Sequence, residues 1–83
     1  MVDHYMDTSL INRISVNPSV GHGKPTIRNS RYLVESILEY LAGGDSVDDL
    51  LKEFPDLERE DILACIAYAT EVLKFKDIKF IAA

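Results

Sequence analysis

Cysteine is almost absent from this chain: Cys65 is the only one in 83 residues, which excludes an intramolecular disulfide and any zinc site built on paired cysteines. Lying in the apolar run from Ile62 to Tyr68, it reads as a small core residue rather than a reactive thiol. No apolar stretch approaches the roughly 20 residues a membrane span needs. A basic segment followed by an apolar run and a small-residue cleavage site is likewise missing, so the expected location is cytoplasmic. Catalytic patterns are also lacking. The two histidines, His4 and His22, have no ligand-spaced companions, and neither Cys65 nor the serines sit in a nucleophile motif. The segment Gly21-His22-Gly23-Lys24-Pro25-Thr26 resembles a phosphate-binding loop only superficially. Such a loop needs glycine where Pro18 stands and Ser or Thr where Pro25 stands. The chain is therefore expected to be neither an enzyme nor a holder of a metal or other cofactor.

What is present begins with an uneven charge. The formal net charge is −5, yet Ile11 to Val34 contains Arg13, Lys24, Arg28 and Arg31 and no acid. Glu35 to Asp61 contains ten acids against Lys52 and Arg59. This separation points to a local electrostatic footprint rather than a uniformly acidic surface. The basic stretch is also where backbone-permissive residues collect. Gly21, Gly23 and Pro25 predict a turn feeding a short strand, and Asn29-Ser30 predicts a tight bend between extended pieces at Thr26–Arg28 and Arg31–Leu33. Arg13-Ile14-Ser15-Val16 alternates as a half-buried strand stopped by Asn17-Pro18. A sheet so small cannot bury both faces without a neighbour.

Helical signals follow. Val34, Ile37, Leu38 and Leu41 recur at helical spacing until Gly43-Gly44. Ser46 opens a second helix as its cap, with Asp49 placed to reach back; Val47, Leu50, Leu51 and Phe54 carry its apolar face and Pro55 ends it. A third helix is predicted from about Glu58 to Lys74, apolar almost all round from Ile62 to Ala69, as a helix packed on more than one side would be. The remaining acids are assigned to helix starts and outward faces. Two short helices and a longer one fit a helix-turn-helix and a plain three-helix bundle equally.

In order, Asn17-Pro18, Gly23-Lys24-Pro25-Thr26-Ile27-Arg28, Ser30-Arg31, Val34, Gly44, Ser46, Leu50-Leu51, Phe54-Pro55-Asp56-Leu57 and Glu60-Asp61-Ile62 resemble the bacterial domain-of-unknown-function family four hundred and thirty-three, regarded as VapB-like antitoxins. The resemblance runs from about Ile14 to Val72. It implies a helix-turn-helix domain with a β arm, paired with a PIN-like ribonuclease toxin. The family has Gly-Thr-Arg where this chain has Asn29-Ser30-Arg31, and a threonine cap where it has Glu58, which predicts a weaker start to the third helix.

The expected architecture is thus mainly α: a three-helix, helix-turn-helix-like domain over residues 11–74 with a small N-terminal β arm. A flexible arm (1–10) precedes it and a tail (75–83) follows. A chain this size buries only roughly 60–65% of its unfolded surface, and with no disulfide or metal to add stability a homodimer is expected, through the 13–34 arm and the apolar face of the third helix.

The function expected is that of an antitoxin neutralising the ribonuclease and regulating its own operon; an adaptor domain without a DNA role is the alternative. The three carboxylates at the start of the third helix oppose phosphates, so DNA contacts are assigned to Arg13, Lys24, Arg28 and Arg31. The end of the chain reads as a short exposed strand, either folded back on its own dimer or docked on the toxin through Lys74, Phe75, Lys76, Ile78, Lys79 and Phe80, the lysines approaching the nuclease's metal-binding acids.

Overall fold

The computed structural model describes residues 8–75. A 3-10 helix, Thr8–Arg13, leads into strand β1 (Ile14–Asn17) and strand β2 (Val20–Ile27), followed by helices α1 (Val34–Ala42), α2 (Val47–Glu53) and α3 (Arg59–Phe75). The architecture is mainly helical with a two-stranded antiparallel sheet at its N-terminal side, as the sequence predicts. Of the 1–10 arm, Thr8–Leu10 joins the 3-10 helix, which packs along α3.

The hairpin is irregular for a local reason. Ile14 pairs with Ile27, Ser15 with Thr26 and Val16 with Pro25, but Asn17 pairs with Val20, so Gly21 to Lys24 bulge out of the ladder. Gly21 and His22 take positive φ there, +62° and +57°. At Gly21 glycine is required twice over, since a Cβ would lie 2.8 Å from Cγ2 of Thr26 and 3.0 Å from Cδ2 of Leu33. The bend expected at Asn29-Ser30 falls one residue earlier, at Arg28-Asn29, both left-handed, so Arg28 is not extended; it is closed by the Ser30 amide donating to the Ile27 carbonyl at 2.8 Å. Asn tolerates that conformation, and Arg28 is held in it because its own amide bonds the Arg13 carbonyl at 2.7 Å. Leu33 bridges back to Thr26, so the chain returns alongside β2 before entering α1.

Capping fixes the helices in place. The amides of Gly44 and Asp45 bond the carbonyls of Leu41 and Tyr40, each at 3.1 Å, with Gly44 at φ +110°, which closes α1. Ser46 and Asp49 form the reciprocal box at the start of α2: the Asp49 amide donates to Ser46 Oγ at 3.0 Å and the Ser46 amide to Asp49 Oδ2 at 2.9 Å. The core gathers Ile27 from the sheet, Val34 and Ile37 from α1, Leu50 from α2 and Ile62 and Cys65 from α3, with Leu57 from the turn between α2 and α3. Cys65 is fully buried and its thiol is pushed up to about 12 by that burial, which keeps it protonated and inert.

α3 packs on more than one side, as its apolar run predicts, against the 3-10 helix, α1 and α2, but one face stays open. Its apolar run is not packed all round within the chain: Ile62, Ala64, Cys65 and Ala67 are buried, whereas Leu63 and Ile66 are 39% and 42% exposed. Of its acids, Asp61 stands at the helix start, as expected, but is wholly buried there. The helix also runs one residue beyond the expected end, so Lys74 and Phe75 are helical rather than part of a strand.

Candidate functional site

Asp61 organises the polar side of the molecule. It sits three residues after Glu58, where a side chain can reach back along a helix start, and its Oδ2 accepts the Glu58 amide at 2.8 Å. The missing threonine cap is thereby replaced from the other half of the box. The same carboxylate accepts from Nε and Nη2 of Arg28 at 3.1 and 2.7 Å and from Nη1 of Arg13 at 3.0 Å. Arg13 also pairs with Glu58 at 2.7 Å. Burial pushes the Asp61 carboxyl upward, but the Glu58 amide and the two guanidiniums outweigh it and hold the group below the usual carboxylate range. Glu58 and Asp61 in turn raise the Arg13 guanidinium above its ordinary value.

Of the four cations assigned to DNA, the fold therefore brings Arg13 and Arg28 together on one carboxylate. Lys24 pairs with Glu35 at 3.1 Å. Arg31 lies over the Tyr32 ring, 4.8 Å from its centroid, and donates to the Tyr32 hydroxyl at 3.1 Å. That hydroxyl donates to Asp56 Oδ1 at 2.6 Å, which holds the Asp56 carboxyl low and the Tyr32 phenol high. Arg59, at the outer start of α3, pairs with Asp48 of α2.

A second surface is apolar. Pro25 of β2, Val34 and Leu38 of α1, and Tyr68, Val72 and Leu73 of α3 wall an open groove of about 370 Å³, with Glu35 at its edge. The exposed apolar surface continues along α3, where Leu73 is 60% and Phe75 87% exposed. Lys74 beside them pairs with Glu71 at 3.1 Å. Of the residues assigned to toxin binding, Lys74 and Phe75 lie at the end of α3, while Lys76, Ile78, Lys79 and Phe80 fall outside the described residues.

Among the described residues no group of three or more His, Cys, Asp or Glu is placed to hold a metal ion, and no helix is long and apolar enough to cross a membrane. The sequence profile of one protein family, described as a protein of unknown function (DUF433), matches residues 14–69, a span holding both strands, α1, α2 and most of α3. The chain belongs to the DUF433 family. No curated protein and no solved structure matches it.

Two features of this DUF433 fold go beyond what its sequence predicts. One is Asp61 as a shared counter-charge; the signals available were an acid three residues after an uncapped position and a basic segment with no acid of its own. The other is the ring cluster of Tyr32, Phe54 and Tyr40, with centroids 5.4 and 5.6 Å apart across Phe54. Sequence spacing carries no signal for that cluster, because the three rings come from three separate segments.

Proposed function

We propose that this DUF433 protein is the antitoxin of a toxin–antitoxin pair: a homodimeric protein-binding domain that neutralises a PIN-like ribonuclease. The observation that carries the reading is the apolar surface left open by the fold, the groove walled by α1, α3 and Pro25 together with Leu73 and Phe75. A small domain with so much uncovered apolar surface gains stability by binding another protein. The resemblance supplies the partner, and the cations bordering this surface, Lys24 and Lys74, complement a nuclease rich in carboxylates. In this reading α2 and α3 hold the place of a helix-turn-helix, and the role expected of Lys76, Ile78, Lys79 and Phe80 is to extend the docking begun by Phe75.

The co-expressed chain should co-purify with the nuclease encoded beside it. Phe75→Ala, at a position where the fold has no stake, should weaken the complex roughly tenfold, since burying a large aromatic contributes about 1.5–3 kcal/mol. A folded chain that does not bind the nuclease overturns the proposal.

Autoregulation through DNA forms the second part of the reading. It is favoured by the side chains of Lys24 and Arg28 remaining 53% and 47% exposed. Contacts to phosphates would run through these residues with Arg13 and Arg31, and would compete with the carboxylates each cation near Glu35 and Asp61 already holds. A gel shift on the chain's own upstream DNA separates an autoregulating antitoxin from an adaptor with no DNA role.

A further inference from the structure

The outer face of α3 carries a stripe of its own. Leu63, Ile66, Thr70 and Leu73 are three, four and three residues apart, the alternation at which helices pair through a heptad seam. Leu63, Ile66 and Leu73 are 39%, 42% and 60% exposed, so nothing among the described residues covers the stripe. Thr70 does not interrupt it, because its hydroxyl already donates to the Ile66 carbonyl at 2.9 Å and brings no unmet polar group into a seam.

The flanking residues identify the occupant. With Leu63 and Thr70 at one seam position and Ile66 and Leu73 at the other, the neighbouring edge of the helix carries Glu60, Ala67 and Lys74. Two such helices laid antiparallel, Leu63 against Leu73 and Ile66 against Thr70, place Glu60 of each copy opposite Lys74 of the other, with Ala67 between them buried within its own protomer. A parallel pair would bring Lys74 beside Ala69 and form no ion pair. The face is thus complementary to itself under a two-fold axis, which is the condition for a closed dimer. Lys74 is free to exchange partners, since its bond to Glu71 is a surface pair of the kind worth little.

Resting on the dimeric reading above, we infer that a second copy of this chain occupies the outer face of α3, antiparallel, with the Leu63–Leu73 layers as its seam and reciprocal Glu60–Lys74 pairs as its register. Leu73 and Lys74 then belong to the seam, and the rest of the groove beside α1, walled by Pro25, Val34, Leu38, Tyr68 and Val72, is left with Lys24 and the exposed Phe75 for the nuclease.

Sedimentation equilibrium of the full chain at low salt is expected to give a dimer. Because symmetry uses the ion pair twice, Glu60→Lys and Lys74→Glu should each raise the dissociation constant by about three- to tenfold, and the double swap should restore it. Mixed Leu63→Cys and Leu73→Cys chains, treated with a short bis-maleimide, should cross-link to each other in preference to themselves; the buried Cys65 does not interfere. A monomer at micromolar concentration overturns both the inference and the dimeric reading. A dimer indifferent to the swaps, or one cross-linking Leu63→Cys to itself, overturns the antiparallel register and leaves the dimeric reading standing.

Discussion

Arg28 grips Asp61 with two parallel bonds, Nε to Oδ1 at 3.1 Å and Nη2 to Oδ2 at 2.7 Å, from a side chain half in solvent to a carboxylate wholly out of it. With Arg13 on the same group, the hairpin and the 3-10 helix are fastened to the first turn of α3. The contact also changes the electrostatics: the cation that sequence alone leaves free and the carboxylate it sets against phosphate neutralise each other.

Removing the hub should therefore loosen the hairpin from the helices. Asp61→Ala deletes three charge-assisted bonds and the helix cap, but leaves two arginines able to rehydrate, so a loss of about 2–3 kcal/mol is expected in urea unfolding. Arg13→Ala, with Arg28 still in place, should lower the urea midpoint by less than Asp61→Ala does. Equal midpoints for wild type and Asp61→Ala would contradict the fastening role.

Acid should have the same target. The Asp61 carboxyl titrates lower in the fold than its unfolded value of about 3.9, so its contribution is complete above that value and disappears as pH falls through the depressed one. The melting temperature should drop below about pH 4, and Asp61→Asn should reduce that drop while leaving the neutral range flat. An acid transition of equal size in Asp61→Asn would assign it to the other depressed carboxylates, Asp49 and Asp56.

Gly21 gives a steric prediction. Gly21→Ala forces a side chain into φ +62° and against Thr26 and Leu33, and should destabilise by about 2 kcal/mol or more. Combining it with Thr26→Ser, which removes the clashing Cγ2, should recover part of that loss in thermal melts. If the single substitution is neutral, the bulge is not held as described.

Ser46→Ala removes the side-chain half of the α2 box and should cost about 1 kcal/mol, with Ser46→Asn close to neutral. Circular dichroism melts of the two variants decide the point.

How much of this was legible depends on how far each signal travels along the chain. The helices and their ends follow from bonds spanning three to five residues, so Ser46 with Asp49 and the closing Gly44 could be placed from sequence. The bend at Asn29 and the break at Asn17-Pro18 are similarly local. Asp61 meets Arg28 and Arg13 across 33 and 48 residues, and no local pattern encodes such a meeting. Leu63 and Ile66 are indistinguishable from core residues in an apolar run; only the placement of the 3-10 helix and α1 against the other faces of α3 leaves them outside.

Whether this surface silences a nuclease, as proposed, is read most directly from RNA cleavage by the PIN-like ribonuclease the proposal pairs with the chain, titrated with the purified chain and with Phe75→Ala. Cleavage should fall to zero near stoichiometric addition of the wild type, and Phe75→Ala should need about ten times more at concentrations near the dissociation constant. Undiminished cleavage in the presence of excess folded wild-type chain would contradict the proposal.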